Sequence, residues 1–313
     1  MTQWKILITD RLEEAGQAVL RDGAQVDDRG GIPAEELLEV IGAYHGVIIR
    51  SRTRLTQAVF DAAGKLKVAG RAGVGVDNID LAAAQSRGIA VVNAPTSTTL
   101  AVAEHTFALM LSLARSVPKA DTALKAGGWP KKDLVGVELH GKTLGIIGAG
   151  RIGSEVATRA AAFGMEVAAH DPLLSEDEIA RRGMQPSSLQ TLFAEADFIS
   201  LHVPLTPETR KMINGQALGR MQRGVYLICT ARGGVIDEIA LTAALDSGQV
   251  AGAALDVFEN EPPGLTALVA HPNVITTPHI SAQTREAQIR TARDISQEVL
   301  AALNGESLRW RVV

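Results

Sequence analysis

A glycine-rich turn between a short apolar run and a helical pattern constrains the fold of this chain more than any other feature. Residues 144–147 form the apolar run, and Gly148, Gly150 and Gly153 follow it in the spacing G-x-G-x-x-G. Gly148 allows a tight turn, Gly150 lets the backbone approach a pyrophosphate, and Gly153 lets the next helix pack closely on the strand. Because free N–H groups at the start of that helix would face an anion, the sequence predicts a dinucleotide site. The alternative is a turn that glycines tighten without binding a ligand.

An acidic residue follows the next predicted strand, residues 166–170. Asp171 stands 23 residues after Gly148, near the distance expected of the carboxylate that binds the ribose 2′-OH. Its charge would repel a 2′-phosphate, and residues 172–174 supply no arginine to neutralise one. The sequence therefore favours NAD over NADP.

Composition narrows the class of protein. A length of 313 residues predicts about two domains, and a net charge of −4 gives no reason to expect nucleic-acid binding. The single cysteine, Cys229, excludes an internal disulfide and is expected to pack as a small buried residue. The chain starts without a signal-peptide pattern, and its most apolar helix, near residues 100–114, is too short to span a bilayer. We therefore expect a cytoplasmic protein without membrane contact, and the scattered histidines predict no metal site.

Strands alternate with helical patterns along the chain, which is typical of parallel sheets. A first layer has predicted strands at residues 5–9, 46–49, 67–70 and 90–93. A second layer has predicted strands at residues 144–147, 166–170, 198–202, 225–229, 252–256 and 274–277, the number expected of a complete doubly wound dinucleotide domain. The last helical pattern, residues 284–303, is then expected to pack on the first layer. We predict an α/β fold of two doubly wound parallel-sheet domains: a Rossmann NAD-binding domain at residues 98–282 and a discontinuous flavodoxin-like substrate domain at residues 1–97 and 283–313.

Two further segments carry predictions. A mostly apolar helix at residues 99–114 has faces too broad for one core contact, so we expect it between domains or subunits. Residues 125–133 are polar and glycine-containing and predict a projecting arm, where Trp129 is either a packing anchor or a subunit contact. Gly73-Val74-Gly75 lacks a third glycine, so it is not a cofactor fingerprint, but it could form a ligand-binding loop at a strand end.

Polar residues follow three of the later predicted strands at their carboxyl ends, which meet at one edge of a parallel sheet. They are Arg232, Asp256 and His279, with Glu259 and Glu261 further along the second of these loops. Oxidation of a hydroxy acid needs a base for the hydroxyl proton, and histidine suits neutral pH. Either glutamate could orient the imidazole, and Arg232 could bind a carboxylate through two parallel hydrogen bonds. Singly, each could instead be a surface charge or a capped turn.

Several segments together resemble the D-2-hydroxyacid dehydrogenase family over nearly the whole chain. They are the glycine fingerprint and residues 70–78, 93–95, 103–105, 230–234, 254–262 and 278–279. The likeness is strongest to members that oxidise 3-phosphoglycerate with NAD in the first step of serine biosynthesis. The resemblance implies that His279 is the acid–base, that Glu261 pairs with it, and that Arg232 binds the substrate carboxylate and the reacting oxygen.

The resemblance also implies which residues contact the ligands. For the cofactor these are Val74, Gly148, Gly150, Arg151, Ile152, Gly153, Asp171, Val203, Thr230, Ala231, Arg232, Asp256, His279 and Ser281. Asp171 would hold the adenosine ribose and Asp256 the nicotinamide carboxamide. For the substrate they are Arg50, Arg71, Gly73, Val74, Lys131, Arg232 and His279. Some relatives carry Thr where this chain has Val74, so a backbone contact is expected there.

Cationic side chains near the substrate would indicate a phosphorylated substrate, because a phosphate carries about two negative charges. The first domain offers Arg50, Arg52, Arg54 and Arg71. By resemblance, Arg50 and Arg71 would face the phosphate, and Lys131 would reach in from a neighbouring subunit. The alternative is a solvated basic surface on an enzyme for glyoxylate, hydroxypyruvate or another unphosphorylated acid.

The expected partners follow from the same resemblance. We expect a small-molecule substrate and a homodimer formed through the NAD-binding domain. Some relatives continue into serine-binding regulatory domains, whereas this sequence ends at Val313, so we expect no allosteric inhibition by serine. A different class of function also fits the fold, namely an NAD(H)-sensing interaction protein.

Overall fold

The computed structural model describes residues 4–313 and divides into two compact units. Unit 1 comprises Met1–Thr98 and Ala282–Val313, and unit 2 comprises Thr99–Ser281. Each unit contains one sheet of parallel strands, five in unit 1 and seven in unit 2. The expected α/β fold with two parallel-sheet units is confirmed.

Unit 1 is built around strands with nearly continuous apolar sequences, as buried parallel strands require. Its elements are β1 (Trp4–Ile8), α1 (Glu14–Arg21), β2 (Ala24–Asp28), α2 (Ala34–Val40), a 3₁₀ turn (Ile41–Ala43), β3 (Gly46–Ile49), α3 (Gln57–Ala62), β4 (Val68–Arg71), α4 (Leu81–Ser86), β5 (Ala90–Asn93) and, from the chain end, α12 (Arg285–Asn304). The strand order β2-β1-β3-β4-β5 is that of flavodoxin-like folds.

Helix α12 packs on the sheet of unit 1, where a glycine in β4 makes room for it. A Cβ on Gly70 would lie 2.6 Å from Val299 Cγ2 and 3.1 Å from Ile295 Cγ1. Beyond the helix, the chain runs beside β5, and the Val312 N–H donates to the Val91 carbonyl at 2.7 Å. Both chain ends therefore contribute to one core.

Unit 2 has the strand order β12-β11-β10-β9-β6-β7-β8, in which the sequence order reverses between β6 and β9. Its elements are α5 (Thr99–Ala114), α6 (Val117–Lys125), β6 (Thr143–Ile147), α7 (Arg151–Ala162), β7 (Glu166–His170), α8 (Glu176–Arg181), β8 (Gln185–Pro186), α9 (Leu189–Glu195), β9 (Phe198–Leu201), α10 (Gly215–Arg220), β10 (Val225–Cys229), α11 (Glu238–Asp246), β11 (Val250–Leu255) and β12 (Val274–Thr276). Ligands of open α/β sheets bind beyond the carboxyl ends of the strands at such a reversal.

The sequence analysis missed one strand in each unit, β2 and β8. β2 has the sequence AQVDD, and β8 has two residues and contains a proline. Both strands lie at a sheet edge, where one side is unpaired and a polar sequence is tolerated. The count of six strands in the second layer was therefore too low.

Helix α5 spans the predicted residues and is buried along much of its length, with Ala103 and Met110 fully inaccessible. It packs within unit 2 on α7, β10 and β11. Trp129, in the segment after α6, is 77% exposed, so its interpretation as a packing anchor within the chain was wrong. Within residues 4–313, no single helix is long and apolar enough to cross a membrane, although α5 and α6 qualify together, with a bend of 64° between them.

Candidate active site

The glycine fingerprint forms the turn between β6 and α7, and steric contacts explain two of its three glycines. Gly148 has a φ of +97°, and a Cβ there would lie 2.8 Å from the His202 carbonyl. A Cβ on Gly153 would lie 2.2 Å from the Gly148 carbonyl oxygen, so α7 packs tightly on the turn. At Gly150, by contrast, a Cβ would meet nothing within 4 Å. The open space at Gly150, beside the start of α7, is where a pyrophosphate can approach the backbone.

Asp171 lies at the end of β7 and is already bound to the fingerprint turn. Its Oδ2 accepts a hydrogen bond from the Ala149 N–H at 3.0 Å, and its Oδ1 accepts one from the Leu173 N–H at 3.0 Å. The Ala149 carbonyl accepts in turn from Arg182 Nη1 at 2.5 Å. Both backbone polar groups of Ala149 thus have hydrogen-bond partners within unit 2.

The other predicted cofactor residues lie at several strand ends of unit 2. Arg151 is exposed in the first turn of α7, Ile152 is half-buried against the core, and Val203 and Ala231 are half-buried after β9 and β10. Thr230 is buried, and its hydroxyl lies 2.9 Å from the Thr106 hydroxyl on α5. The residues present therefore fit a bound dinucleotide.

Asp256 is fully buried at the end of β11 and organises the loop that follows β12. Its Oδ1 accepts from the Thr277 hydroxyl at 2.5 Å and from the Ile280 N–H at 2.8 Å, and its Oδ2 accepts from the Ser281 N–H at 2.9 Å. His279 lies within this loop with a φ of +52°. The position of the histidine is thus set by the buried carboxylate.

His279 and Glu261 form a close pair. His279 Nδ1 lies 2.7 Å from Glu261 Oε2, and the two side chains are 44% and 37% exposed. The second oxygen, Oε1, accepts from the Phe258 N–H at 3.1 Å. An ionised carboxylate can only accept, so Nδ1 carries the proton and the Nε2 lone pair is available to a substrate.

Glu259, the alternative partner, is committed elsewhere. Its Oε1 accepts from the Glu238 N–H at 3.2 Å and lies 3.3 Å from Lys211 Nζ. Glu259 therefore caps the start of α11, and the glutamate beside His279 is Glu261, the partner that the family resemblance implies.

Arg232 stands in the loop after β10, and the next residue of that loop, Gly233, contacts the loop after β11. A Cβ on Gly233 would lie 1.7 Å from the Phe258 carbonyl oxygen, so the two backbones are in direct contact. Arg232 Nη1 donates to the Ala231 carbonyl at 2.7 Å. Because Phe258 also donates to Glu261, this contact couples the loops of Arg232 and Glu261.

The ionisation of these groups fits acid–base work. Partial burial opposes ionisation of Glu261, but its pKa still lies below the usual value because hydrogen bonds from His279 and the Phe258 N–H, and the charges of His279 and Arg232, outweigh burial. Burial raises the pKa of Cys229 to about 11 and lowers that of His202 to about 4. Cys229 is therefore a buried thiol, as expected.

Unit 1 contains the predicted substrate loop after β4. Arg71 Nη1 donates to the Ala72 carbonyl at 3.3 Å and lies across Gly73, where a Cβ would be 1.5 Å from that nitrogen. Gly73 also has a φ of +148°. The Val74 carbonyl accepts from Asn93 Nδ2 at 2.6 Å, which holds the loop on β5.

A basic recess of about 370 Å³ lies in the same unit, lined in part by Arg50 and Arg52. Arg52 is bound within the protein, with Nε 3.0 Å from Asp10 Oδ1 and Nη2 donating to the Thr9 carbonyl at 2.7 Å. Arg50 makes a longer hydrogen bond of 3.4 Å to the Arg11 carbonyl. Burial lowers its pKa below the usual value, although Asp10 and Glu13 oppose this. Of Arg50 and Arg52, Arg50 therefore has more freedom to meet an anion. Lys131 and Arg54 are exposed.

Comparison with known proteins decides the family. Residues 107–281 match the model of the D-isomer specific 2-hydroxyacid dehydrogenase NAD binding domain. The chain is 49% identical over 304 residues to D-3-phosphoglycerate dehydrogenase 2, chloroplastic, of Arabidopsis thaliana, covering 96% of this chain and 49% of that protein.

The chain belongs to the D-isomer specific 2-hydroxyacid dehydrogenase family.

Two further proteins show a similar likeness. D-3-phosphoglycerate dehydrogenase of Bacillus subtilis is 45% identical over 304 residues, covering 96% of this chain and 57% of that protein. A glyoxylate reductase from Paecilomyes thermophila has a similar structure, with a TM-score of 0.91, 32% identity and coverage of 100% and 99% of the two chains. The chain spans about half the length of the curated relatives it matches. The cofactor of the matched domain is NAD.

Two residues of this dehydrogenase-family site escaped the sequence analysis. His105 on α5 contacts Thr277 and Asp256, and Arg182 after α8 reaches the fingerprint turn. His105 stood in a segment that carried the family resemblance, which was a usable signal. Arg182 is 33 positions from its partner Ala149, and its sequence context gave no sign of the contact. In residues 4–313, no group of three or more His, Cys, Asp or Glu side chains is arranged to hold a metal ion.

Proposed function

We propose that this chain catalyses the NAD-dependent oxidation of 3-phospho-D-glycerate to 3-phosphohydroxypyruvate, the first step of serine biosynthesis. The observation that carries the proposal is the 2.7 Å pair of His279 and Glu261, on a loop coupled to that of Arg232. A base, a carboxylate that orients it and a planar cation are the groups that oxidation of a 2-hydroxy acid requires.

In this mechanism, NAD supplies the hydride acceptor for the hydrogen at C2 of the substrate. His279 takes the hydroxyl proton at Nε2 while Nδ1–H remains bound to Glu261, which stabilises the imidazolium. Arg232 binds the substrate carboxylate and the reacting oxygen. In the reverse direction, protonated His279 returns the proton to a 2-keto acid.

The phosphorylated substrate is supported by two observations. The two curated relatives described above are named phosphoglycerate dehydrogenases. The recess beside Arg50 offers a partly buried arginine, and a phosphate with about two negative charges forms strong hydrogen bonds with such a group. The likeness to a glyoxylate reductase supports an unphosphorylated 2-keto acid as the second candidate.

The roles of the two units are part of the proposal. Unit 2 would bind NAD through Gly150, Asp171 and Asp256, and unit 1 would contribute the substrate residues Arg50 and Arg71. We also propose a cytoplasmic homodimer formed through unit 2. Support for the dimer comes from the exposed apolar side chains on α6 and the following segment, Val117, Leu124, Trp129 and Val135.

Initial rates test the substrate. We would compare 3-phosphoglycerate with D-glycerate in the presence of NAD, and hydroxypyruvate with glyoxylate in the presence of NADH, using the wild-type chain and Arg50→Gln. Strong preference for the phosphorylated acid, lost in Arg50→Gln, supports the proposal. Preference for the unphosphorylated acids moves the second candidate to first place. NADH binding without turnover of any acid would point to an NAD(H)-sensing protein.

Substitution of His279 tests the mechanism. His279→Ala is expected to lower kcat by about 10²–10⁴-fold, the usual contribution of a general acid–base. His140→Ala is the matched control, because His140 is an exposed histidine of the same unit. Steady-state kinetics of both variants decide the matter, and an unchanged kcat in His279→Ala removes this residue from the mechanism.

A further inference from the structure

His105 on helix α5 contacts the catalytic loop, which is the loop after β12 that carries His279. His105 Nε2 lies 3.1 Å from the Thr277 hydroxyl oxygen and 3.7 Å from Asp256 Oδ1. The side chain of His105 is 20% exposed and that of Asp256 fully buried. The three residues therefore form a largely buried chain of polar contacts within unit 2.

In this series of contacts, the carboxylate of Asp256 determines the direction of each hydrogen bond. A carboxylate can only accept, so the Thr277 hydroxyl donates its one proton to Asp256, at 2.5 Å. The Thr277 oxygen must then accept from His105, and the proton of that bond stands on His105 Nε2. His105 is thus a donor that aligns the threonine hydroxyl with the aspartate.

Asp256 also binds the backbone of the catalytic loop. It accepts from the N–H groups of Ile280 and Ser281 at 2.8 and 2.9 Å. These two residues directly follow His279, whose φ of +52° is unfavourable for a non-glycine residue and persists only where the surroundings impose it. The same aspartate thus holds the threonine before His279 and the two amides after it.

We propose that His105 is a positioning residue, which holds His279 in its working conformation through Thr277 and Asp256. The inference rests on the proposed function for the role of His279. His105 acts through Thr277 and Asp256, and not on the reacting atoms. It fixes the orientation of the Thr277 hydroxyl, and with it the loop geometry that a productive proton transfer demands.

Paired substitutions distinguish the loss of a hydrogen-bond donor from a change in side-chain volume. His105→Leu removes the donor, and His105→Gln keeps a side-chain N–H. Thr277→Val removes the relay hydroxyl, and Thr277→Ser keeps it. Glu104→Gln is the control, since Glu104 is the neighbour of His105 on α5 with a side chain 63% exposed.

His105→Leu and Thr277→Val are each expected to lower kcat by about 10²-fold, the cost of a misplacement near 1 Å, with little change in KM. The double variant should be no slower than either single variant, because both break one chain of contacts. His105→Gln and Thr277→Ser should retain most of the activity. Wild-type kcat in His105→Leu, or equal losses in His105→Leu and His105→Gln, would overturn the proposal.

Hydrogen exchange provides a readout that does not depend on turnover. The amides of Ile280 and Ser281 should exchange faster in His105→Leu than in the wild-type chain or in Glu104→Gln. Unchanged exchange there overturns the positioning role. A wild-type chain that turns over no hydroxy or keto acid overturns the proposed function instead, and the exchange rates still decide the role of His105.

Discussion

At the residue scale, the behaviour of the acid–base pair depends on how Glu261 divides its two oxygens. One faces His279 Nδ1 at 2.7 Å, and the other accepts from the Phe258 N–H at 3.1 Å. Both contacts favour the ionised carboxylate and keep its pKa low, against the effect of partial burial. The carboxylate thus has two tasks, since it orients the imidazole and holds its own loop.

This arrangement predicts a pH-dependent contribution to stability. The pKa of Glu261 in the folded protein is lowered from 4.5, so its contribution is fully present above that value and is lost as pH falls through the lower folded pKa. Glu261→Gln should therefore be less stable than the wild-type chain at pH 7, and the difference should vanish in strong acid. Thermal unfolding midpoints across that range are the measurement. A difference that grows on acidification would contradict the assignment.

At the element scale, the site is made by loops at the carboxyl ends of neighbouring strands. The loops after β10 and β11 meet at Gly233 and Phe258, and the loop after β12 is bound to Asp256. The parallel order β12-β11-β10 places these loops side by side. The catalytic arrangement therefore requires backbone contacts that only a residue without a side chain permits.

The contact at Gly233 predicts a costly substitution. In Gly233→Ala the new Cβ would lie 1.7 Å from backbone oxygen, so the two loops must separate, at a cost of about 1–3 kcal/mol as for other overpacked sites. We expect a lower unfolding midpoint and a lower kcat. Gly219→Ala is the control, because a Cβ there meets nothing within 4 Å in helix α10. Equal stability of the two variants would show that the loops yield freely.

The position of Arg182, directly after α8, predicts how the preference for NAD over NADP can be changed. Asp171→Ser removes the charge that repels a 2′-phosphate, while Arg182 already reaches the same turn at 2.5 Å from the Ala149 carbonyl. A hydrogen bond to a charged group contributes about 1.5–3 kcal/mol, so we expect the ratio of kcat/KM for NADP to that for NAD to rise by about ten-fold or more. Adding Arg182→Met should cancel the gain. A gain that survives this second substitution would exclude Arg182 as its source.

At the scale of the whole molecule, hydrophobic burial is organised by unit. Two clusters of buried residues lie within unit 2, one around Leu227 and Phe258 and one around Met110 and Ile146. The clusters of unit 1 include Val68 with Ile295 and Val299 of α12. The core of unit 1 thus needs both chain ends, whereas that of unit 2 comes from one continuous segment.

This division predicts different fates for two fragments. Residues 99–281 should fold alone and bind NADH, because the segment contains its whole sheet and both of its clusters. Residues 1–98 should fail to fold, since they lack the apolar face of α12. Circular dichroism melting and NADH fluorescence of each fragment test this. A folded 1–98 fragment would show that α12 is dispensable to the core.

The sequence by itself determined the features that depend on local pattern. Apolar runs bounded by glycine gave the central strands, because a strand buried on both faces must be apolar throughout. The family was recognisable from short segments such as 230–234 and 254–262, since backbone contacts and charges at strand ends limit the residues allowed there. The edge strands β2 and β8 were missed because one unpaired side relaxes that requirement.

The tertiary structure decided the contacts between residues distant in the chain. Glu259 and Glu261 carry the same side chain and only the family resemblance favours Glu261, whereas the placement of α11 and of the loop after β12 brings Glu259 to Lys211 and Glu261 to His279. By sequence, Arg52 was one of several arginines that could bind a substrate phosphate, and the fold pairs it with buried Asp10. Packing likewise brings His105 to Thr277 and Arg182 to the fingerprint turn. Sequence pattern records which face of an element is apolar, whereas a polar partner is chosen by the distances that packing creates.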